Sequence, residues 1–381
     1  MNDVLRNVYG SVVVVRPPVP ATVNKAGANY KSEVAHLSYS PRAAFGEWLT
    51  ICDAILACGG DALFQFEDTD EPFLDASTLR VDDDGNVFAD DSTDAVGNLD
   101  QVQTGRVFAA NGPWVTTHTH ALRAVMQHML PHRQAETGYY RDLLAAIAAA
   151  GDYELELIDN PHHWEGMADV AVVGDRVVLS YAVPGHYDEG HAPKSPRSSL
   201  DGVKFAADRA GVPEEARIYV ELRYPHFHGD TVHFGARPTQ GDPLLVHYQG
   251  GLWGDGAERI RSELGDERIV AIGKTDAVEN YCGNSRQIGN GLLLPAQRSE
   301  SFLKDMQALG LEVHSVPLSE LFGKAGGGPG CATLYMPADL RIPETSDLRY
   351  SVRQSQARAR LARVPERLNV SPGYFAARKR G

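Results

Sequence analysis

Segments of helical and strand periodicity alternate along this chain in a recurring order. One helix with a pair of strands repeats about five times, with little clear sequence similarity between the units. Ser11-Val12-Val13-Val14-Val15 is an apolar run of buried-strand type. From Pro41 to Gly60, Phe45, Trp48, Leu49, Cys52, Ile55 and Leu56 recur at helical spacing, and Gly59-Gly60 ends the run. Cys52 and Cys58 therefore belong to a helix and its end, and read as structural. A second cycle predicts strands around Val107-Phe108 and at Trp114-Val115-Thr116-Thr117, then a helix from Glu136 to Ala150. A third predicts a hairpin, with a Gly174-Asp175 turn between Asp169-Val170-Ala171-Val172-Val173 and Arg176-Val177-Val178-Leu179-Ser180. A helix from Leu200 to Ala210 precedes the strand-like Arg217 to Leu222 and a strand end at His228. Ser301 to Leu309 reads as helix and Glu312 to Val316 as strand. Alternation of this kind predicts an α/β fold.

Two stretches stand outside the rhythm. From Glu67 to Asp100 the chain is acidic, with Asp82-Asp83-Asp84, Asp90-Asp91 and Asp94. The spacing there is not that of an EF-hand, so a solvated acidic insertion is expected rather than a metal site. From Arg341 to Gly381 the chain turns basic, with Arg353, Arg358, Arg360, Arg363, Arg367 and Arg378-Lys379-Arg380. A packed arm, an oligomer contact and a disordered tail all fit that composition. The formal net charge of −14 argues against nucleic acid or an anionic membrane as a partner and suits a small cationic substrate. The four cysteines, Cys52, Cys58, Cys282 and Cys331, show no C-x-x-C spacing, so neither zinc nor a disulfide framework is expected. Free thiols suit a reducing compartment, and the N-terminus lacks an apolar leader, so a cytoplasmic location is expected. No apolar run reaches membrane-spanning length.

Near the C-terminus the chain reads Gly326-Gly327-Gly328-Pro329-Gly330-Cys331-Ala332-Thr333-Leu334. Glycines let a backbone approach a ligand closely, and the residues from Cys331 to Met336 read as a strand. The thiol would then stand where loop meets strand. A lone cysteine is more often a small buried apolar residue than a nucleophile. A nucleophilic one needs an acid/base partner, and His226-Phe227-His228-Gly229-Asp230-Thr231 supplies His228. Histidines at 118 and 120, and at 226 and 228, read as alternating on strands, which mimics a metal site; a cysteine mechanism needs none. His162, His163, His186 and His191 read as loop histidines, with His162-His163 beside Glu165 as site candidates.

Taken in order, these motifs resemble the guanidine-modifying pentein superfamily of arginine deiminases, dimethylarginine hydrolases, arginine dihydrolases and amidinotransferases. The resemblance is carried by Val107-Phe108-Ala109-Ala110-Asn111-Gly112, His132-Arg133-Gln134-Ala135-Glu136, Trp164-Glu165-Gly166-Met167-Ala168-Asp169, Phe227-His228-Gly229-Asp230-Thr231, Asn280-Tyr281-Cys282-Gly283-Asn284 and Lys324 to Cys331. It implies a five-bladed α/β propeller of αββ units around a pseudo-fivefold axis. It covers one catalytic domain over 10–337 and leaves unexplained the acidic insertion, at about 67–100, and the basic extension, over 338–381. It assigns Cys331 as nucleophile and His228 as acid/base. Glu165, Asp230, Asn111 and Gly330 become substrate-binding residues, with no metal and no cofactor. The implied function is a hydrolase of arginine or a similar guanidine, through a thiouronium on Cys331. An amidinotransferase passing the amidino group to an amine is the alternative; a non-catalytic binding protein ranks third, because Cys331, His228, Glu165 and Asp230 are all present. Asn111 departs from the aspartate that deiminases and dimethylarginine hydrolases carry in that motif, a departure shared with dihydrolases. Asn111-Gly112 equally suits a hairpin turn. The loops near Asn24, Asn29 and Asp68 are too variable to read, and a homo-oligomer is compatible with the sequence.

Overall fold

The computed structural model describes residues 10–18, 40–66, 79–84, 86–89, 92–95, 97–98, 107–190, 196–317, 319–321, 323, 326–364, 366 and 369–370. Asn24, Asn29, Asp68, His191, Lys324 and Ala325 lie outside them.

Five three-stranded sheets share one pattern. A middle strand pairs antiparallel with one neighbour and parallel with the other, and a helix bridges the parallel pair. The reason is geometric: antiparallel strands can be joined by a tight turn, whereas a parallel pair needs a crossover. The second unit is β6 (Trp114–His118), β7 (Ala121–Met126), α2 (Thr137–Gly151) and β8 (Glu154–Asp159). The third is β9 (Val170–Val173), β10 (Arg176–Tyr181), α3 (Leu200–Arg209) and β11 (Arg217–Glu221). The fourth is β12 (His233–Ala236), β13 (Leu244–His247), α4 (Gly256–Leu264) and β14 (Ile269–Ala271). The fifth is β15 (Arg286–Ile288), β16 (Gly291–Pro295), α5 (Glu300–Ala308) and β17 (Glu312–Val316).

The first unit draws on both ends of the chain. β1 (Val12–Val14) runs parallel to β2 (Asp61–Leu63) through α1 (Pro41–Ala57), and its antiparallel partner is β18 (Leu334–Tyr335). Ser40 caps α1 by accepting from Ala43 N. The apolar face of α1 buries Phe45, Trp48, Leu49, Ile51, Cys52 and Ile55. The basic extension packs here too. α6 (Tyr350–Leu361) lays Tyr350 and Ala357 into the same core as Trp48, and its Tyr350 hydroxyl and Gln354 amide both donate to Asp53 at 2.9 Å. Asp61 receives Arg349 Nη1 at 3.2 Å and the Ser351 hydroxyl at 2.5 Å. Beyond it, β19 (Asn369–Val370) joins β3 (Leu79–Val81), β4 (Asn86–Ala89) and β5 (Gly97–Asn98) of the acidic insertion in a four-stranded sheet.

Several expectations are corrected. Val107 and Phe108 are buried but not a strand: they lead into a 3-10 turn, Ala109–Asn111. Asn111-Gly112 is not the hairpin turn; Thr119, at φ +51°, and His120 turn the chain between β6 and β7. Strand β11 ends at Glu221, so His226 and His228 lie beyond it, and His228 precedes a 3-10 turn, Gly229–Thr231. Only His118 of the other pair sits on a strand, at its exposed end. Cys331 lies in a turn, and the strand begins at Leu334. Among the described residues, no helix is long and apolar enough to cross a membrane.

Candidate active site

Three short turns deliver the candidate residues: Ala109–Asn111, Gly166–Asp169 and Gly229–Thr231. Gly166 is at φ +85°, and a Cβ there would lie 2.2 Å from Gly112 O, so the second turn can approach the first only with glycine. A fourth element is the glycine loop before Cys331. A Cβ on Gly327 would strike the Phe108 ring at 2.2 Å.

Asn284 organises that loop. Its Oδ1 accepts from the backbone N–H of Gly328 and of Cys331, each at 2.9 Å. Its Nδ2 donates to Asp230 O and to Cys331 Sγ, each at 3.0 Å. One side chain thus ties the thiol to the turn that carries His228 and Asp230. Gly330 donates its N–H to Asn284 O at 2.9 Å, and its carbonyl accepts from Arg286 Nη2 at 2.8 Å. Its contribution is therefore to the shape of the loop.

Glu165 is fully buried and heavily partnered. Its Oε2 accepts from Arg133 Nη1 at 3.1 Å, from Arg197 Nη1 at 3.2 Å and from His228 Nε2 at 3.0 Å. Burial pushes its carboxyl up, but Arg197, Arg133 and His228 together outweigh that and hold it well below the usual carboxylate range. An ionised Glu165 fixes the His228 proton on Nε2. Arg133 also forms a two-pronged pair with Glu136, at 2.8 and 2.9 Å, and donates to Asn111 Oδ1 at 3.2 Å. Asn111 Nδ2 in turn donates to Glu165 O at 3.2 Å and lies 3.5 Å from His228 Nε2. Asp169 accepts from Gly229 N at 2.8 Å and from Ser198 Oγ at 2.5 Å; burial raises its carboxyl to about 6.

Asp230 is the exception. It is only 8% exposed, yet neither carboxylate oxygen receives a hydrogen bond. The Cys331 thiol and the Asn284 amide act on it electrostatically without meeting hydrogen-bond geometry. Burial pushes its carboxyl up, against the pull of His228 and Arg286. Cys331 is 3% exposed, and its thiol is pushed well up by burial and then by the Asp230 carboxylate. At rest the nucleophile candidate is therefore neutral. No hydrogen bond joins His228 to Cys331 among the described residues; Asp230 acts on both.

The structure thus gathers Asn111, Glu165, His228, Asp230, Gly330 and Cys331. His162 and His163 point to the surface instead. No group of three or more metal-ligating side chains forms among the described residues. Arg197, Asn284 and Arg286 received no role from the sequence. For Arg197 a signal existed: it stands directly before Ser198-Ser199, where Ser199 caps α3. Arg286 is one of many arginines and carried no signal.

No protein-family profile matches the chain, and no curated protein matches it in sequence. Solved structures do match. The N-terminal domain of ArgZ bound to substrate, an arginine dihydrolase from cyanobacteria, superposes with a TM-score of 0.61 at 17% identity, covering 85% of this chain and 97% of that one. The ternary complex of AgrE with ornithine and NAD+ gives 0.61 at 18%, covering 88% of this chain and 40% of that one. DDAH from Pseudomonas aeruginosa, complexed with citrulline, gives 0.56 at 16%, covering 85% and 98%. These are arginine-modifying enzymes of the pentein superfamily. The chain has the pentein fold. Its five sheets of one pattern match the pentein neighbours, and it spans about 41% of full-length ArgZ.

Proposed function

We propose that this pentein is a cysteine hydrolase of the guanidinium group of arginine or an arginine-like compound, built as a five-bladed α/β propeller. The ring arrangement is supported by one cavity lined jointly from β9, β12, β15 and β18, the leading strands of four units. The functional reading rests on Asp230: a buried carboxylate without a partner, facing the thiol, calls for a cation rich in N–H donors.

The chemistry follows from that placement. A guanidinium held on Asp230 neutralises the charge that keeps the thiol protonated, so binding itself favours the thiolate. The thiol proton passes to His228, making it an imidazolium; Sγ then attacks the central carbon, and the C–N bond to the departing nitrogen breaks as that nitrogen takes this proton from His228. Glu165 holds the imidazole in place and stabilises its cationic form. Water then gives one proton to His228 and attacks the thiouronium carbon; as the carbonyl forms, its hydroxyl proton goes to Sγ, which leaves as the thiol. One such cycle releases ammonia and a ureido product; a second on that product is the dihydrolase reaction. Asn111 in place of a second carboxylate is the observation that favours the two-step reading.

Incubation with arginine and methylated arginines, with and without an amine acceptor, followed by mass spectrometry, tests the proposal. The expected result is loss of an amino group to water in wild type and none in Cys331→Ser. Transfer to the acceptor instead would make the protein an amidinotransferase. Turnover in Cys331→Ser within tenfold of wild type would exclude covalent catalysis.

A further inference from the structure

Arg286 opens β15 and is buried, at 9% exposure. Its Nε donates to Thr333 Oγ1 at 3.1 Å, and its Nη2 to Gly330 O at 2.8 Å and Thr333 O at 3.2 Å. Its guanidinium lies 4.5 Å from the centre of the Tyr335 ring. All of these partners are neutral. Buried Arg16 and Arg133 both pair with Glu136, whereas no carboxylate lies within ion-pair reach of Arg286 among the described residues. Arg286 and Asp230 instead line the same cavity, of about 20 Å³, with His233, Ser285 and Tyr335. That volume holds roughly one water and excludes a guanidine, so the cavity is not the substrate site. Two opposite buried charges thus flank one small space beside the nucleophile loop, neither with an ionic partner.

We propose that Arg286 is a positioning residue for Cys331: it clamps the carbonyls on either side of the nucleophile turn and sets a fixed positive charge behind the thiol. The clamp holds Gly330 and Thr333, one residue before Cys331 and two after. The charge favours the thiolate once a substrate cation has reached Asp230, and it opposes the Asp230 carboxylate at rest. The inference rests on the proposed function only in taking Cys331 as the nucleophile.

The rate of Cys331 alkylation by iodoacetamide, followed by peptide mass spectrometry across pH, reads the thiol without any substrate. In Arg286→Gln the midpoint of that profile is expected to rise by about one pH unit, the scale of a nearby opposite charge. In Arg286→Lys it is expected to stay close to wild type. An unchanged midpoint in folded Arg286→Gln overturns the proposal. If Arg286→Gln does not fold, Thr333→Val decides the matter, because it removes one acceptor and leaves the charge. A wild-type midpoint there supports a charge effect; a rise of a full unit shows that loop packing sets the thiol, and overturns it. Should no guanidine be turned over while Arg286→Gln still moves the midpoint, the proposed function fails and the role of Arg286 stands.

Discussion

At Asn111 both ends of one amide are engaged: the oxygen receives Arg133 and the nitrogen serves the Glu165 carbonyl. Asn111→Asp would set an oxygen against that carbonyl at the present 3.2 Å. The expected cost is about 1–3 kcal/mol for the lost, buried donor, read as a lower urea midpoint. A further carboxylate near His228 is also expected to tighten guanidine binding, read as a lower KM and a changed ratio of singly to doubly hydrolysed product. A variant silent in all of these would remove Asn111 from the site. The sequence made this residue ambiguous because Asn-Gly suits a tight turn as well as a pocket. It carried the types at Cys331, His228, Glu165 and Asp230, since each stands in a short ordered motif. It could not carry the partnerships. Asn284 holds Cys331 across 47 residues of chain, and Arg197 meets Glu165 across 32. From sequence, Glu165 is therefore expected to bind substrate, although three cationic or proton-bearing groups already surround it.

Among the elements, the β12–β13 hairpin and the loop that leads to the Gly229–Thr231 turn together hold three buried histidines. His226, His233 and His247 are all buried, and His247 has neither ring nitrogen partnered. Thr231 donates its single hydroxyl proton to His228 O, so His226 must donate from Nδ1 to Thr231, leaving Nε2 bare. Ser180 bonds His233, the ring of His247 lies 5.8 Å from that of His233, and Arg261 and His226 act on His247. Burial lowers His247 from 6.5 to about 4. A base with a lowered folded pKa binds its proton first in the unfolded chain, so this group costs stability as pH falls below about 6.5 toward 4. His247→Phe removes that loss. Its melting temperature relative to wild type is expected to rise steadily between pH 7 and 4.5; a constant difference would refute the assignment. The α6 anchor makes a separate prediction. Asp61→Ala strips Arg349 of its carboxylate partner and Ser351 of its hydroxyl's acceptor and is expected to cost about 3 kcal/mol, measured by urea unfolding. Elements were legible where period and punctuation agreed, as in α1 and the Gly174-Asp175 hairpin. They misled at Val107-Phe108 and after Cys331. There, short apolar runs fill buried turns, and periodicity alone cannot separate a buried turn from a buried strand.

For the whole molecule, the decisive pairing is Val14 with Leu334. It closes the first unit from opposite ends of the chain, so no terminal unit can fray independently. Leu334→Ala, at a site 1% exposed, is expected to cost about 3 kcal/mol. The loss should appear in one transition: tryptophan fluorescence, which samples Trp48, Trp114, Trp164 and Trp253, and far-ultraviolet circular dichroism should give coincident urea curves. Separated curves would mean that the units unfold on their own. The same pairing governs events on the ribosome. About 320 residues separate β1 from its antiparallel partner, which is therefore translated on the order of tens of seconds later at ordinary elongation rates. Throughout that interval its outer edge stays unpaired, a template open to other nascent strands. Cys331 is synthesised three residues before that partner, so its thiol enters the chain at the moment its housing can close. A product truncated by early termination carries the exposed edge but never Cys331.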